Sequence, residues 1–171
     1  NIGFSVTATG SDPLTYQWEF NGGDLPGAIN SILGLPNVQF SQAGTYRVRV
    51  TNPVRTVTSD LVTLTLFAAP TFTTQPNNVT NLVGSSATLT ALATGTQPLR
   101  YQWYFNASTA LAGQTNTSLV LASLQLNQAG NYTVVATNAG GARTSAVAVV
   151  DVYQADFGDA PEVLGYPTTL A

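Results

Sequence analysis

The sequence predicts an all-β chain of two tandem antiparallel β-sandwiches, and three observations carry that prediction. The first is an internal repeat: Tyr16-Gln17-Trp18 returns as Tyr101-Gln102-Trp103, and Gln42-Ala43-Gly44-Thr45-Tyr46 returns as Gln128-Ala129-Gly130-Asn131-Tyr132. Thr51-Asn52 and Ser59 recur with them as Thr137-Asn138 and Ser145. The second is period-two alternation of apolar residues in short runs, with no helix-period segment, and the third is the Gly, Pro, Asn and Ser residues that separate the runs. The repeat divides the 171 residues into domains at 1–68 and 69–153, with 154–171 left as a linker or the start of a further module.

In chain order, the inward-facing set of the first domain reads Phe4, Val6, Ala8; Tyr16, Trp18, Phe20; Leu33, Leu35; Val38, Phe40; Tyr46, Val48, Val50; and Val62, Leu64, Leu66. In the second it reads Leu89, Ala91, Ala93; Tyr101, Trp103, Phe105; Leu119, Leu121, Leu124, Leu126; Tyr132, Val134, Ala136; and Ala148, Val150, Val152. Such alternation places one side of each strand in a core and the other in water. Asn21-Gly22 after the first Trp strand predicts a primed hairpin turn, and Asn138-Ala139-Gly140-Gly141 supplies residues that tolerate positive φ before the last strand. The first domain has Asn52-Pro53-Val54-Arg55 at that point, where Pro53 cannot donate to a ladder, so its hairpin tip is built differently. Leu66-Phe67-Ala68-Ala69-Pro70-Thr71 joins the domains without a glycine, which predicts a short and fairly stiff connection.

Composition excludes much chemistry. Cys, His and Met are absent, which sets aside disulfides, thiol nucleophiles, imidazole bases and soft-metal ligation. Arg supplies every positive charge, the formal net charge is -3 and charged residues make up 8% of the chain, so no basic surface for nucleic acid is expected. No apolar run approaches the roughly 20 residues that span a bilayer, and membrane insertion is not expected. A chain without Met also reads as a piece of a longer protein.

The order of these motifs, an apolar strand, Tyr-Gln-Trp, Leu-x-Leu, Gln-Ala-Gly-x-Tyr-x-Val and Thr-Asn, resembles the immunoglobulin fold, especially the intermediate-type domains found in tandem in bacterial secreted and surface proteins. The likeness runs nearly to Tyr153. It implies that Trp18 and Trp103 are the buried strand tryptophans and that Tyr46 and Tyr132 form the tyrosine corner, with Gln42 and Gln128 where the family has Asp. The positions of the family's bridging cysteines hold Val6 with Val48 and Ala91 with Val134, and the smaller second pair implies a looser second domain. The first domain begins almost at its second strand. Its leading strand is either trimmed or supplied by a neighbouring chain, and trimming is the favoured expectation.

Four of the eight acidic residues fall in the last 21 positions. Asp156-Phe157-Gly158-Asp159-Ala160-Pro161-Glu162 resembles a motif that opens further modules in large bacterial secreted proteins. Asp156, Asp159 and Glu162 are candidate Ca²⁺ ligands there, weighed against a solvated linker. A glycosidase pair would need a protected cleft around such acids, and Ser or Thr catalysis would need a His or Lys that the chain lacks. Four Asn-x-Ser/Thr sequons, at Asn78, Asn106, Asn116 and Asn131, stand against the roughly three that chance pairing yields, so chance explains them. On the outward face of the Trp-bearing sheet, the first domain shows Gln17, Glu19, Arg47 and Arg49, read as a wet cross-strand ion pair. The second shows Gln102, Tyr104, Thr133, Val135 and Val149, of which Tyr104, Val135 and Val149 form a candidate contact patch.

The resulting expectation is a non-catalytic structural or adhesive repeat module of a long extracellular bacterial protein: a stalk, surface layer or filament. Its partners would be further domains of the same chain and identical subunits in a fibre. The alternatives are a ligand-binding module for carbohydrate or protein, or a spacer attached to a distant secreted enzyme.

Overall fold

A computed structural model describes residues 1–154, and these contain strands, two short 3-10 turns and no α-helix. They form two compact units, Asn1–Leu66 and a second that begins at Phe67. Unit 1 contains β1 (Ile2–Ser5), β2 (Thr15–Phe20), β3 (Gly23–Asp24), β4 (Ile32–Leu35), β5 (Gly44–Thr51), β6 (Thr56–Thr58) and β7 (Val62–Leu64). One layer is the antiparallel pair β1-β4; the other runs β3-β2-β5, with β6 and β7 both on the far edge of β5.

Unit 2 repeats this plan and adds to it. Its strands are β8 (Thr71–Thr74), β9 (Val79–Leu82), β10 (Ala87–Thr90), β11 (Leu92–Thr94), β12 (Arg100–Phe105), β13 (Thr109–Ala110), β14 (Ser118–Leu121), β15 (Gly130–Asn138), β16 (Gly141–Thr144) and β17 (Ala148–Tyr153). β10 pairs with β14, and the larger sheet runs β13-β12-β15-β17-β9, with β16 also on β15. The three strands without a counterpart among the described residues of unit 1 are β8, its partner β11, and β9, which lies parallel to β17.

Alternation forms both cores. Trp18, Leu33, Leu35, Tyr46, Val48, Val50 and Leu64 are buried in unit 1, and a larger set around Trp103, Leu89, Leu119, Leu124 and Val134 is buried in unit 2. Each such aliphatic side chain contributes about 1.5 to 3 kcal/mol by leaving water. Each indole N–H is satisfied, Trp18 by the Asn30 carbonyl and Trp103 by the Asn116 carbonyl, both at 2.9 Å. Each Tyr-Gln-Trp glutamine wraps the sheet edge. Gln17 Nε2 donates to the carbonyls of Trp18 and Leu25, and Gln102 Nε2 donates to those of Trp103 and Leu111.

The tyrosine corners take the same form in both units. Tyr46 donates its hydroxyl to the Gln42 carbonyl at 2.6 Å, and Tyr132 to the Gln128 carbonyl at 2.9 Å. Burial raises the pKa of both phenols. Glutamine where the family has Asp serves a local purpose: Gln42 Oε1 accepts the Gln39 N–H and Gln128 Oε1 accepts the Gln125 N–H, each at 2.8 Å, closing a 3-10 turn. The glycine that follows admits a neighbour, since a Cβ on Gly44 or Gly130 would sit 2.7 or 2.6 Å from the ring of Phe20 or Phe105. Ser59 and Ser145 recur because each hydroxyl accepts a strand N–H, from Val48 and Val134 respectively, at 3.0 Å.

Two inward assignments are corrected. Phe40 and Leu126 lie in the 3-10 turns, where period two no longer holds, and both are exposed. Val62 does face inward, opposite Tyr46 and beside Trp18 and Val48, but is 46% exposed, whereas its repeat counterpart Ala148 is fully buried beside the sheet that β9 completes. The second domain is not the looser one. Ala91, Val134 and Trp103 are all fully buried, because β8 and β9 bring Phe72 and Val79 against that core.

Candidate functional site

The outward face of the β2-β5 sheet and its counterpart on β12-β15 hold the candidate surface residues. Strand register fixes the correspondence between them. In unit 1, Glu19 lies opposite both Arg47 and Asp24, and Gln17 lies opposite Arg49. In unit 2, Tyr104 lies opposite both Thr133 and Ala110, and Gln102 lies opposite Val135. Glu19, Asp24, Arg47 and Arg49 therefore occupy the places of Tyr104, Ala110, Thr133 and Val135.

The unit 1 face is an ion-pair network, not a wet pair. Glu19 is only 2% exposed although it points away from the core, because two guanidinium groups cover it. Arg47 Nε contacts Glu19 Oε2 at 2.5 Å, and Arg49 NH1 contacts Glu19 Oε1 at 2.9 Å. Arg49 NH2 also reaches both oxygens of Asp24 at 2.9 Å, so its fork bridges two carboxylates. The sequence contained a signal for this: two arginines at alternate positions of one strand flank a single glutamate on the same face.

Every charge in that network is replaced by a neutral residue in unit 2. Tyr104, Val135 and Val149 are half-buried and point to one side of the sheet, with Val149 opposite Asn131. Thr133, between Tyr104 and Val135 in the register, is buried on the outer face. The neutral surface is thus shallow and packed.

Asp156, Asp159 and Glu162 lie outside the described residues. Among the described residues, no group of three or more Asp or Glu side chains is arranged to hold a metal ion. No helix there is long and apolar enough to cross a membrane, which bears only on helical spans.

Paired layers, a tyrosine corner and an indole buried in each core define the class: two tandem immunoglobulin-like antiparallel β-sandwiches. Residues 69–138 match the family model described as an immunoglobulin domain. The human protein "Peroxidasin homolog" is 30% identical over 152 residues, covering 79% of this chain and 10% of that protein. The rat "Cell adhesion molecule CEACAM16" is 29% identical over 143 residues, covering 74% of this chain and 33% of that protein. An I-band fragment from titin superposes with a TM-score of 0.69 at 18% identity, over 85% of this chain and 57% of that one, a likeness of fold. The chain spans a tenth to a third of the length of these two curated relatives.

Proposed function

We propose that the pair of sandwiches is a non-catalytic adhesive or structural module of a longer extracellular protein. The observation that carries this reading is the repeat itself. One sandwich plan occurs twice in succession, with one indole buried in each core and the repeated geometry spent on corners, caps and turns rather than on a reacting centre. A chain without His, Lys or Cys offers no imidazole or amine base and no thiol nucleophile. The adhesion-molecule name of one relative supports the same direction. The curated relatives reported above come from mammals, so a bacterial surface layer, stalk or filament rests on the motif resemblance alone.

Within this reading, contact with a neighbouring domain or identical subunit is assigned to the neutral face of Tyr104, Val135 and Val149. The ionic face of unit 1 holds its charges in fixed, paired positions and is the less suited to close approach. Val135→Lys places a charge in the centre of the neutral face. Static light scattering of the native multi-domain protein should show the associated fraction fall at least tenfold with Val135→Lys, with no change for the control Thr88→Lys on the opposite sheet. Association unaltered by Val135→Lys contradicts the assignment. A glycan array probed with the two-unit chain separates this reading from a carbohydrate-binding module, since a structural module gives no saturable signal.

A further inference from the structure

Each unit has a strand, β4 or β14, with one open side. In unit 2, β14 pairs with β10 and, among the described residues, with nothing on its other edge. The cause is internal to the unit: residues 111–117 carry the chain from β13 straight to β14 without forming a strand that would cover it. The register fixes which backbone groups face outward. Ala91 N–H donates to the Thr117 carbonyl, and Leu89 and Ala87 lie opposite Leu119 and Leu121, so these alternate residues of β14 bond inward to β10. Ser118 and Val120 therefore turn their N–H and C=O groups to the open side, followed by the Ala122 N–H. Val120 also carries an exposed side chain on the outer face of the strand.

The repeat shows how such an edge is blunted. β4 holds the same place in unit 1, with Ile32, Gly34 and Pro36 as the counterparts of Ser118, Val120 and Ala122. Pro36 lacks the outward N–H that Ala122 offers, and Gly34 lacks the β-branched side chain of Val120. Proline and charge are common guards of an edge strand, and β14 has neither. Arg100, Arg143 and Asp151 are the charged residues between positions 67 and 154, and none lies on β10 or β14. Two copies can therefore meet there without opposing like charges. The outward groups are also self-complementary. With a two-fold axis at Val120, each Val120 N–H meets the Val120 carbonyl of the other copy, and each Ala122 N–H meets the other Ser118 carbonyl.

We infer that the β14 edge is a pairing site for a second copy of this chain, strand against strand and antiparallel, so that the β10-β14 sheets of two copies join into one. This rests on the edge geometry and not on the neutral face of the opposite sheet. The test is sedimentation equilibrium of the chain from about 10 µM to about 1 mM, with amide hydrogen exchange at both ends of that range. A monomer–dimer equilibrium with a Kd of about 0.1 mM is expected. The Val120 and Ala122 amides should exchange at least threefold more slowly at the upper concentration, while Leu119, already bonded to β10, should not change. Val120→Pro removes an N–H that unit 2 itself does not use, and Val120→Lys keeps that N–H but sets two like charges side by side. Both variants should stay monomeric, with Trp103 fluorescence showing unit 2 folded. Val135→Lys should dimerise like the parent, which separates this site from the neutral face. The inference is overturned by a chain that stays monomeric at about 1 mM or by a dimer in which the Val120 and Ala122 amides gain no protection. It is overturned also by a Val120→Lys variant that dimerises as well as the parent.

Discussion

Units 1 and 2 have the same Trp, the same corner and the same capped turn, yet the described residues of unit 2 include strands β8, β9 and β11, which those of unit 1 do not. Val62 is largely exposed and Ala148 is wholly buried at equivalent places. Thr7–Thr9 is irregular where the nearly identical Leu92–Thr94 is a strand. The lesson is that strand formation here belongs to the pair and not to the segment. A backbone with Thr and Ala side chains has no strong preference of its own, and a partner that satisfies its N–H and C=O groups decides the outcome. The outer faces diverge in a second way, with four charged residues in unit 1 standing against four neutral ones in unit 2.

Breaking the ionic half of that comparison gives the largest expected effect. Arg47→Ala with Arg49→Ala strips Glu19 of both its counter-charges and the arginine stems that cover it, and should lower the stability of unit 1 by about 2 kcal/mol, read by urea unfolding followed at Trp18. Replacing the whole network by the residues of unit 2, Glu19→Tyr, Asp24→Ala, Arg47→Thr and Arg49→Val, should return stability to within about 1 kcal/mol of the starting value. If the double alanine variant costs no more than that replacement, the network is a surface ornament and the contrast between faces has no energetic content.

The corners test what the units share. Tyr46→Phe and Tyr132→Phe each remove one hydroxyl donor from a carbonyl and should cost about 1 kcal/mol, equally in the two units. Both phenols have raised pKa values in the folded state. Their contribution is therefore complete below the unfolded pKa of about 10 and declines as pH rises from there through the folded value, because the unfolded chain loses protons that the folded chain keeps. Thermal melts across that range should fall with pH, and less steeply in the Phe variants. A melting temperature insensitive to pH there contradicts the burial of these hydroxyls.

The smallest effect sharpens a difference in turn chemistry. Asn21-Gly22 has φ of 48° and 85°, the primed hairpin that the dipeptide predicts, whereas unit 2 places Asn106-Ala107 at 47° and 65°. Alanine is strained in that region, so Ala107→Gly should raise the stability of unit 2 by about 0.5 to 1 kcal/mol, measurable as a higher urea midpoint.

Much of the fold was legible because period-two alternation and a repeated motif report the same thing twice. Where legibility failed, the cause is local and physical. Phe40 and Leu126 follow the alternation in the sequence, but the short turns closed by Gln42 and Gln128 rotate them outward. Glu19 looks like any outward-facing charge until register places two arginines over it, and register depends on pairing that no single strand encodes. A small Ala91-Val134 pair suggested slack, yet closure there is governed by strands from elsewhere in the unit, β8 and β9. On the candidate face, Tyr104, Val135 and Val149 do share one side of the sheet, as alternation predicts, while their packing around Thr133 required the neighbouring strands.

Native-state hydrogen exchange along the two equivalent central strands tests the account most directly, because it reads the opening of each unit separately within one chain. Within this 171-residue chain the unit that carries β8 and β9 should be the harder to open, so the amides of Val134 and Ala136 in β15 should exchange at least tenfold more slowly than those of Val48 and Val50 in β5. Equal protection in the two strands, or slower exchange in β5, would contradict the claim that the added strands β8 and β9 set the difference between the units.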